Sequence, residues 1–162
     1  MPPSPVSLTR TVAVSNRHPR LRVPRAAVAR AVAVLDAHAA KFLDGCPPGE
    51  LSVVFLTDPA LARLHADFMH DPAPTDVITF AGNAPAGLAG EICVSADTAA
   101  AYARRHRRSF AAELTLYLVH GWLHLAGYDD LSPAAKRRMR AAEKRALRLL
   151  CGQNALPVFQ HA

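Results

Sequence analysis

Cysteine and aromatic side chains are scarce in this sequence, and it has no long uncharged apolar run. The cysteines Cys46, Cys93 and Cys151 are odd in number and widely separated, which argues against a disulfide framework and against a cysteine-based zinc site. Such a composition suits a reducing cytoplasm, where we expect the protein. The most apolar segment, 110–127, contains Glu113 and two histidines, so we expect no membrane-spanning helix and no membrane partner.

Length and composition favour one domain. The chain has 162 residues, 51% of them hydrophobic, which is enough for a single core. We therefore expect one domain over residues 1–162, with loose tails at 1–9 and 153–162. No apolar stretch typical of a secretory signal follows Met1.

The charge balance is basic. A formal net charge of +6 and a pI near 9.8 indicate phosphate-bearing partners. Two clusters hold many of the basic residues. The first is Arg104, Arg105, Arg107 and Arg108, and the second is Lys136, Arg137, Arg138, Arg140, Lys144, Arg145 and Arg148. The second cluster fits a solvated helix face equally well, whereas the first lies just before the histidine-bearing segment and favours a functional role.

The most informative motif is His-x3-His-x2-Gly-x2-Asp, from His120 to Asp130. Two histidines four residues apart lie on the same face of a helix, where both imidazoles can reach one metal ion. Gly127 ends such a helix in a left-handed turn and lets the chain double back beneath the rings. The motif then supplies two nitrogens and one oxygen and leaves a fourth position for water, which is the arrangement of a catalytic zinc site.

The residue after the first histidine bears on which reaction the metal site could catalyse. Zinc proteases carry a Glu there as general base, whereas this chain has Gly121. The spacing thus predicts one Zn²⁺ per chain held by His120, His124 and Asp130. Gly121, which cannot accept a proton, argues against ordinary peptidase chemistry. Asp129 is an alternative third ligand, although a role in orienting a histidine or capping the turn fits it better.

Apolar periodicity predicts an α/β (α+β) fold, with a small mixed sheet of about four strands covered by helices and a zinc-hydrolase-like metal helix. Residues 81–89 are expected to form a Gly/Pro loop. The predicted strands are 11–15, 51–56, 77–80 and 91–94. The predicted helices are 24–43, 58–69, one from a Ser95 or Asp97 cap to 108, one from a Ser109 cap to 127, and 133–151.

Together these segments resemble a known family. The run from His120 to Asp130 resembles the signature of the YbeY-type endoribonucleases, also described as bacterial rRNA maturation factors. The segments 74–80 and 90–95 resemble two further family motifs, and Met139-x3-Glu143 fits the family's last helix. These motifs occur in family order between about residues 50 and 150.

The resemblance implies a cytoplasmic, zinc-dependent, single-strand-specific endoribonuclease. It would act in 16S rRNA 3′-end maturation and in ribosome quality control. The implied partners are single-stranded RNA or rRNA and the ribosome or its small subunit.

Two positions depart from the family pattern. Asp130 stands where the family usually has a third histidine, which lowers the net charge of the metal unit from +2 to +1 and makes a metal other than zinc more plausible. Met69 stands where the family commonly has an arginine that is thought to serve catalysis, so an arginine from 104–108 is expected to replace it.

The expected roles follow from these considerations. Thr75 and Asp76 fit a turn as well as a cleft. The catalytic candidates are His120, Arg104 and Arg105, and the substrate-binding candidates are Arg107, Arg108, Thr75 and Asp76. Two rival interpretations remain at this level: a zinc hydrolase of a peptide or small molecule, and a non-catalytic ribosome-associated factor.

Overall fold

A four-stranded mixed sheet forms the centre of the computed structural model, which describes residues 10–69 and 76–162. Its strand order is β1-β3-β5-β4, with β1, β3 and β5 parallel and β4 antiparallel to β5. The strands are β1 (Thr11–Asn16), β2 (Leu21–Arg22), β3 (Glu50–Leu56), β4 (Val77–Asn83), β5 (Leu88–Ser95) and β6 (Gln160–His161). The helices are α1 (Arg25–Ala37), α2 (Asp58–Met69), α3 (Ala96–His106), α4 (Phe110–Ala126) and α5 (Pro133–Gly152).

Helices cover the sheet on both faces, which explains the continuous apolar run of β3. Leu51, Val53 and Phe55 point into the larger core, which includes residues of α1, α4 and α5. Val54 and Leu56 point to the other face and pack with Leu61 of α2 and with Ile78 and Cys93. The predicted mixed sheet of about four strands covered by helices is therefore confirmed.

Helix α4 lies against the sheet at unusually short range because of Gly121. A Cβ atom built on Gly121 would lie 2.4 Å from Cγ2 of Ile92 on β5. The next residue, Trp122, is fully buried; its ring packs edge-on against Phe42 and its Nε1 donates to Asp36 at 3.2 Å. Trp122 is therefore a core residue, and the same helix supplies both the core and the two histidines of the motif.

Two elements differ in extent from the sequence prediction. The helix predicted over 24–43 ends at Ala37, because His38 leaves the helical conformation with φ −115° and ψ 28°. The chain continues as a short 3-10 helix over Ala39–Lys41 and then turns at Leu43 and Asp44, whose φ values are 51° and 66°. The loop predicted over 81–89 is mostly a hairpin, since β4 and β5 stay paired as far as Asn83 and Leu88. Main-chain pairing extends these strands where the side chains show no apolar pattern.

The prediction of a loose tail over 153–162 is wrong. Ala155 and Phe159 are buried, and β6 pairs antiparallel with β2 through Leu21 opposite His161. Phe159 also packs against Phe55, with ring centroids 5.3 Å apart. The segment is fixed because it completes the core and adds a two-stranded ribbon. The tail predicted over 1–9 lies outside the described residues.

None of the five α-helices within residues 10–69 and 76–162 combines the length and apolarity needed to cross a bilayer.

Candidate metal centre

The last two turns of α4 carry both histidines. His120 and His124 lie one turn apart, with ring centroids 4.5 Å apart and planes nearly perpendicular. The helix ends at Gly127, whose φ of 116° permits the left-handed turn expected from the sequence. The backbone N–H of Tyr128 then donates to the carbonyl of Leu123 at 3.0 Å, which folds the following residues back toward the rings.

Hydrogen bonds at Nδ1 fix the orientation of both imidazoles. Nδ1 of His120 donates to a carboxylate oxygen of Glu143 on α5 at 2.8 Å, and Nδ1 of His124 donates to the backbone carbonyl of Tyr128 at 3.0 Å. Because both acceptors are oxygens, Nδ1 carries the proton in each ring. Each Nε2 therefore keeps its lone pair, and carboxylate or carbonyl partners of this kind are typical of zinc-binding histidines.

The carboxylate of Asp130 faces both Nε2 atoms. Its two oxygens lie 3.7 Å from Nε2 of His120 and 3.9 Å from Nε2 of His124. The three residues offer ligand atoms within 4.8 Å of one another, which fits one metal ion of the zinc type. Asp129 instead accepts a hydrogen bond from the backbone N–H of Leu131 at 3.1 Å, the turn-capping role considered for it above.

The local charges act differently on the two imidazoles. Burial acts to lower the pKa of His120, but the hydrogen bond and charge of Glu143 offset this and raise the pKa above its ordinary value. The charges of Asp76 and Asp130 act in the same direction. Burial, together with the neighbouring His120, lowers the pKa of His124. His124 is thus held in the neutral form that a metal requires.

A second cluster with similar spacing differs in its tautomer. His18, Asp97 and His161 also bring three ligand atoms within 4.8 Å of one another. Here, however, Nδ1 of His18 accepts from the backbone N–H of Arg20 at 3.1 Å, so Nε2 carries the proton and donates to Asp97 at 2.7 Å. A metal on that Nε2 would force two N–H donors to face each other. The cluster is therefore a hydrogen-bonded clamp between His18 and Asp97, against which the ring of His161 packs without a hydrogen bond of its Nε2.

The metal candidate lies in a cleft of about 750 Å³ between α3, α4 and α5. Asp76 lies in its wall, and Glu113 and Tyr117 form part of the floor. Burial, with Asp76 and Glu113 adding negative charge, raises the pKa of the Tyr117 phenol, so this group stays protonated. Among the described residues that line the cleft, the basic ones are Arg108, Lys136 and Arg140.

The structure separates the predicted arginines. Arg108 reaches the cleft, where its guanidinium lies 3.6 Å from the buried carboxylate of Glu113. Arg104 and Arg107 line a neighbouring cavity together with Arg108, and Arg105 is exposed and lines neither space. Arg104 and Arg105, named above as catalytic candidates, both lie on the exposed surface of α3 outside the cleft lining. The arginine of the 104–108 cluster that faces the cleft is Arg108, which follows the turn at Arg107. Thr75 and the side chain of Met69 lie outside the described residues.

Three contributors to the site were missed from the sequence. Glu143 was noted only for its match to a family motif, and Lys136 and Arg140 were grouped with a solvated face. A spacing of four residues places Lys136 and Arg140 on one side of α5, and Glu143 is three residues beyond Arg140. That pattern was visible, but only the packing of α5 on α4 shows that this side faces the histidines.

These features define an α/β protein with a candidate metal centre on a core helix, and comparison with known proteins gives its family. A family model described as Endoribonuclease YbeY matches residues 13–150. The chain belongs to the YbeY family of endoribonucleases, enzymes that cleave phosphodiester bonds of RNA. The resemblance expected from the sequence is thereby confirmed.

Individual relatives agree with this assignment. A protein described as Endoribonuclease YbeY from Anaeromyxobacter sp. (strain Fw109-5) is 40% identical over 137 residues, which are 82% of this chain and 68% of that protein. Another of the same description, from Anaeromyxobacter dehalogenans (strain 2CP-C), is 43% identical over 123 residues, covering 73% of this chain and 63% of that protein. The matched region thus spans about two thirds of the length of these relatives.

A solved structure supports the fold. The solution structure of a protein from Thermotoga maritima superposes with a TM-score of 0.61, covering 88% of this chain and 91% of that chain at 22% identity. The similarity therefore extends over nearly the whole sheet-and-helix arrangement.

Proposed function

We propose that this chain is a zinc-dependent, single-strand-specific endoribonuclease that acts in rRNA processing, at the 3′ end of 16S rRNA, and in ribosome quality control. Family membership supports the RNA substrate and the phosphodiester chemistry. The observation that carries the metal part is the convergence of Nε2 of His120, Nε2 of His124 and the Asp130 carboxylate. Single-stranded rRNA and the small ribosomal subunit are the proposed partners.

The chain's own residues divide the work of the site. His120, His124 and Asp130 would hold the ion, and a zinc ion bound there supplies a water of lowered pKa and polarises a phosphoryl oxygen. Glu143 and the carbonyl of Tyr128 keep both imidazoles in the tautomer that exposes Nε2. This preorganisation means that little rearrangement accompanies metal binding.

Positive charge on the cleft wall would bind the substrate phosphate. We assign to Arg108 the role of the arginine that the family resemblance led us to expect at position 69, since Arg108 is the member of the 104–108 cluster that lines the cleft. Its guanidinium can hold two phosphate oxygens at once and stabilise the charge that develops on them. Lys136 and Arg140 on the opposite wall add charge that orients the backbone of the strand.

Asp76 cannot bind phosphate as the basic residues of the cleft do, because a carboxylate repels it. It is exposed at the cleft wall and accepts hydrogen bonds only. A ribose 2′-hydroxyl is a suitable donor, and contact with this group is how proteins distinguish RNA from DNA. Substrate binding by Asp76 is therefore proposed to act through the sugar, and a 2′-deoxy substitution at the scissile nucleotide should weaken it.

Peptide hydrolysis is a poorer fit to the geometry. A glutamate in place of Gly121 would have its Cβ pressed against Ile92, so the helix position used by zinc proteases for their base faces the sheet here.

The test combines metal content with RNA cleavage. Protein purified without chelator should contain about one zinc per chain and cut a single-stranded RNA but not its fully paired duplex. Chelator should abolish cleavage, and added zinc should restore it. His124→Ala should lose both zinc and activity. His38→Ala, which removes a ring hydrogen-bonded to the carbonyl of Val34 and outside the metal cleft, should keep both. Intact RNA in the presence of a zinc-loaded wild-type protein would contradict the proposal.

A further inference from the structure

A second cavity adjoins the metal cleft. It has a volume of about 370 Å³ and lies where α3 turns into α4. Arg108 lines both spaces, so the two cavities share a wall. The remaining polar lining comes from Arg104, Arg107 and His161. The cavity is therefore a basic extension of the cleft that metal chemistry does not require.

Two of the three arginines of this cavity, Arg104 and Arg107, have no acidic partner among the described residues, whereas Arg108 pairs with Glu113. Within the part of the chain that the structure describes, neither Arg104 nor Arg107 forms an ion pair, and both are exposed. Arg107 has a left-handed φ of 53°, at which the chain leaves α3. That turn directs Arg107 into the second cavity, while the next residue reaches the cleft. Two guanidinium groups held beside a cavity without a carboxylate favour phosphate as their ligand.

An aromatic stack lies on the same end of α3. The rings of Tyr102 and His106 stack with centroids 3.8 Å apart and planes within 18°. Nδ1 of His106 donates to the backbone carbonyl of Tyr102 at 3.0 Å, which fixes the imidazole. Tyr102 lines the metal cleft, the guanidinium of Arg108 lies 5.9 Å from its ring, and His106 is exposed. The stack thus runs from the cleft to the surface and ends in the exposed imidazole of His106.

We propose that the RNA strand leaves the metal cleft over this end of α3. This inference rests on the proposed function. One base beyond the two nucleotides joined by the scissile bond stacks on the outer face of His106, and the phosphates on that side bind Arg104 and Arg107. Stacking of this kind tolerates any base, so the surface selects unpaired strands rather than a sequence. Bases locked in a duplex cannot present a free face to His106, which gives single-strand preference a structural origin.

Binding of oligonucleotides to the zinc-loaded full chain tests the stacking contact. A fluorescent twelve-nucleotide single strand with 2′-O-methyl groups, which slow cleavage and remove the 2′-hydroxyl contact to Asp76 equally for every variant, is titrated in an anisotropy assay. His106→Ala should weaken binding about tenfold, the loss expected for one stacked base. His106→Phe should restore affinity to within about twofold, because it keeps a stacking face. Equal weakening by both variants, or none by His106→Ala, would overturn the stacking contact.

Salt dependence tests the phosphate contacts. Arg104→Ala and Arg107→Ala should each flatten the slope of log affinity against log salt concentration by about one phosphate's share. Arg138→Ala removes the same charge from an exposed position on α5 outside both cavities and should leave the slope nearly unchanged. If all three variants flatten the salt-dependence slope equally, the effect comes from net charge alone, and the proposed path is wrong.

Substrates of two lengths distinguish a failure of the proposed RNA path from a failure of the proposed nuclease function. Wild-type cleavage of any single-stranded RNA tests the function itself. Under the proposed path, His106→Ala should raise KM for a twelve-nucleotide substrate while kcat stays unchanged, and it should not affect a dinucleotide, which has no base beyond the two nucleotides joined by the scissile bond. An equal KM effect on both lengths would contradict the path, even with the nuclease activity intact.

Discussion

Glu143 of α5 accepts a hydrogen bond from Nδ1 of His120 on α4 at 2.8 Å, so a helix outside the histidine motif fixes one of its rings. Partners of this kind typically contribute 10-fold to 100-fold to metal affinity. Glu143→Ala should weaken zinc binding by about that factor in a competition titration with a chelating dye, and Glu143→Gln should lose less because its amide oxygen still accepts. Glu50→Gln, at an exposed position on β3, is the control. If Glu143→Ala binds zinc as tightly as wild type, Glu143 does not support the metal site.

The third ligand can be identified by comparing adjacent aspartates. Asp130→Ala should lose most of the zinc affinity, because it removes the oxygen facing both Nε2 atoms. Asp129→Ala loses only a turn hydrogen bond and should retain the metal. Asp130→His, which restores the residue usual in the family, should also bind zinc. Elemental analysis of all three proteins decides the assignment, and metal loss in Asp129→Ala alone would reverse it.

The close approach of α4 to β5 predicts an unusually large effect of one methyl group. Gly121→Ala places a Cβ 2.4 Å from Ile92 and should lower the free energy of unfolding by about 1–3 kcal/mol, measured by urea denaturation. Gly152→Ala introduces the same group where no atom lies within 4 Å and should be neutral or stabilising. Ile92→Ala should recover part of the loss when combined with Gly121→Ala. Additive effects of the pair would show that the contact is not the cause.

Kinetics can test the proposal that Arg108 has the role of the arginine expected at position 69. Arg108→Ala should lower kcat about 100-fold or more, a few kcal/mol of transition-state stabilisation, because Arg108 lines the cleft. Arg105→Ala, three residues before Arg108 and outside both cavities, should leave kcat near that of wild type. A change confined to KM in Arg108→Ala would assign it to binding only.

The His18–Asp97 clamp should make stability depend on pH. Burial acts to raise the pKa of Asp97, but the hydrogen bond from His18 and the backbone N–H of Asp58 lower it below the ordinary value of 3.8. The ionised carboxylate therefore stabilises the fold above that value, and its contribution disappears as pH falls through the lower folded-state pKa. Asp97→Asn should lower the free energy of unfolding by about 1 kcal/mol at pH 7, a modest figure because the side chain is 33% exposed.

Urea denaturation from pH 7 to pH 3 measures this difference. The gap between wild type and Asp97→Asn should narrow below about pH 4. A gap that stays constant over the whole range would show that the charge of Asp97 has no part in it. Glu50→Gln again provides the comparison at an exposed carboxylate.

The sequence predicted those parts of the molecule that local chemistry determines. The positions of Ser109 and Gly127 bound α4 correctly, because an N-cap oxygen and a left-handed C-cap act within one turn. The spacing of His120 and His124 required only helix geometry, and proximity of Asp130 required only a chain reversal at Gly127. The sheet followed from apolar runs long enough to be covered on both faces.

Contacts between distant segments were harder to predict. The bond from His120 to Glu143 depends on how α5 packs against α4, which no local pattern encodes. The cleft position of Arg108 depends on the turn at Arg107, whose positive φ is rare for a residue with a side chain. The C-terminal segment was misjudged, although Ala155 and Phe159 alternate with exposed Leu156 and Val158. A period of two residues there indicated extended chain against a core.

The pairing of β2 with β6 joins residues from opposite ends of the described chain. Closing so long a loop costs more entropy than any local contact, and the ribbon has only two residues on each side. We expect it to form late during folding and to open first in native-state hydrogen exchange, well before the central strands. His161 on this ribbon lines the cavity that contains Arg104 and Arg107. Local opening of the β2–β6 pair would therefore determine the lifetime of that cavity.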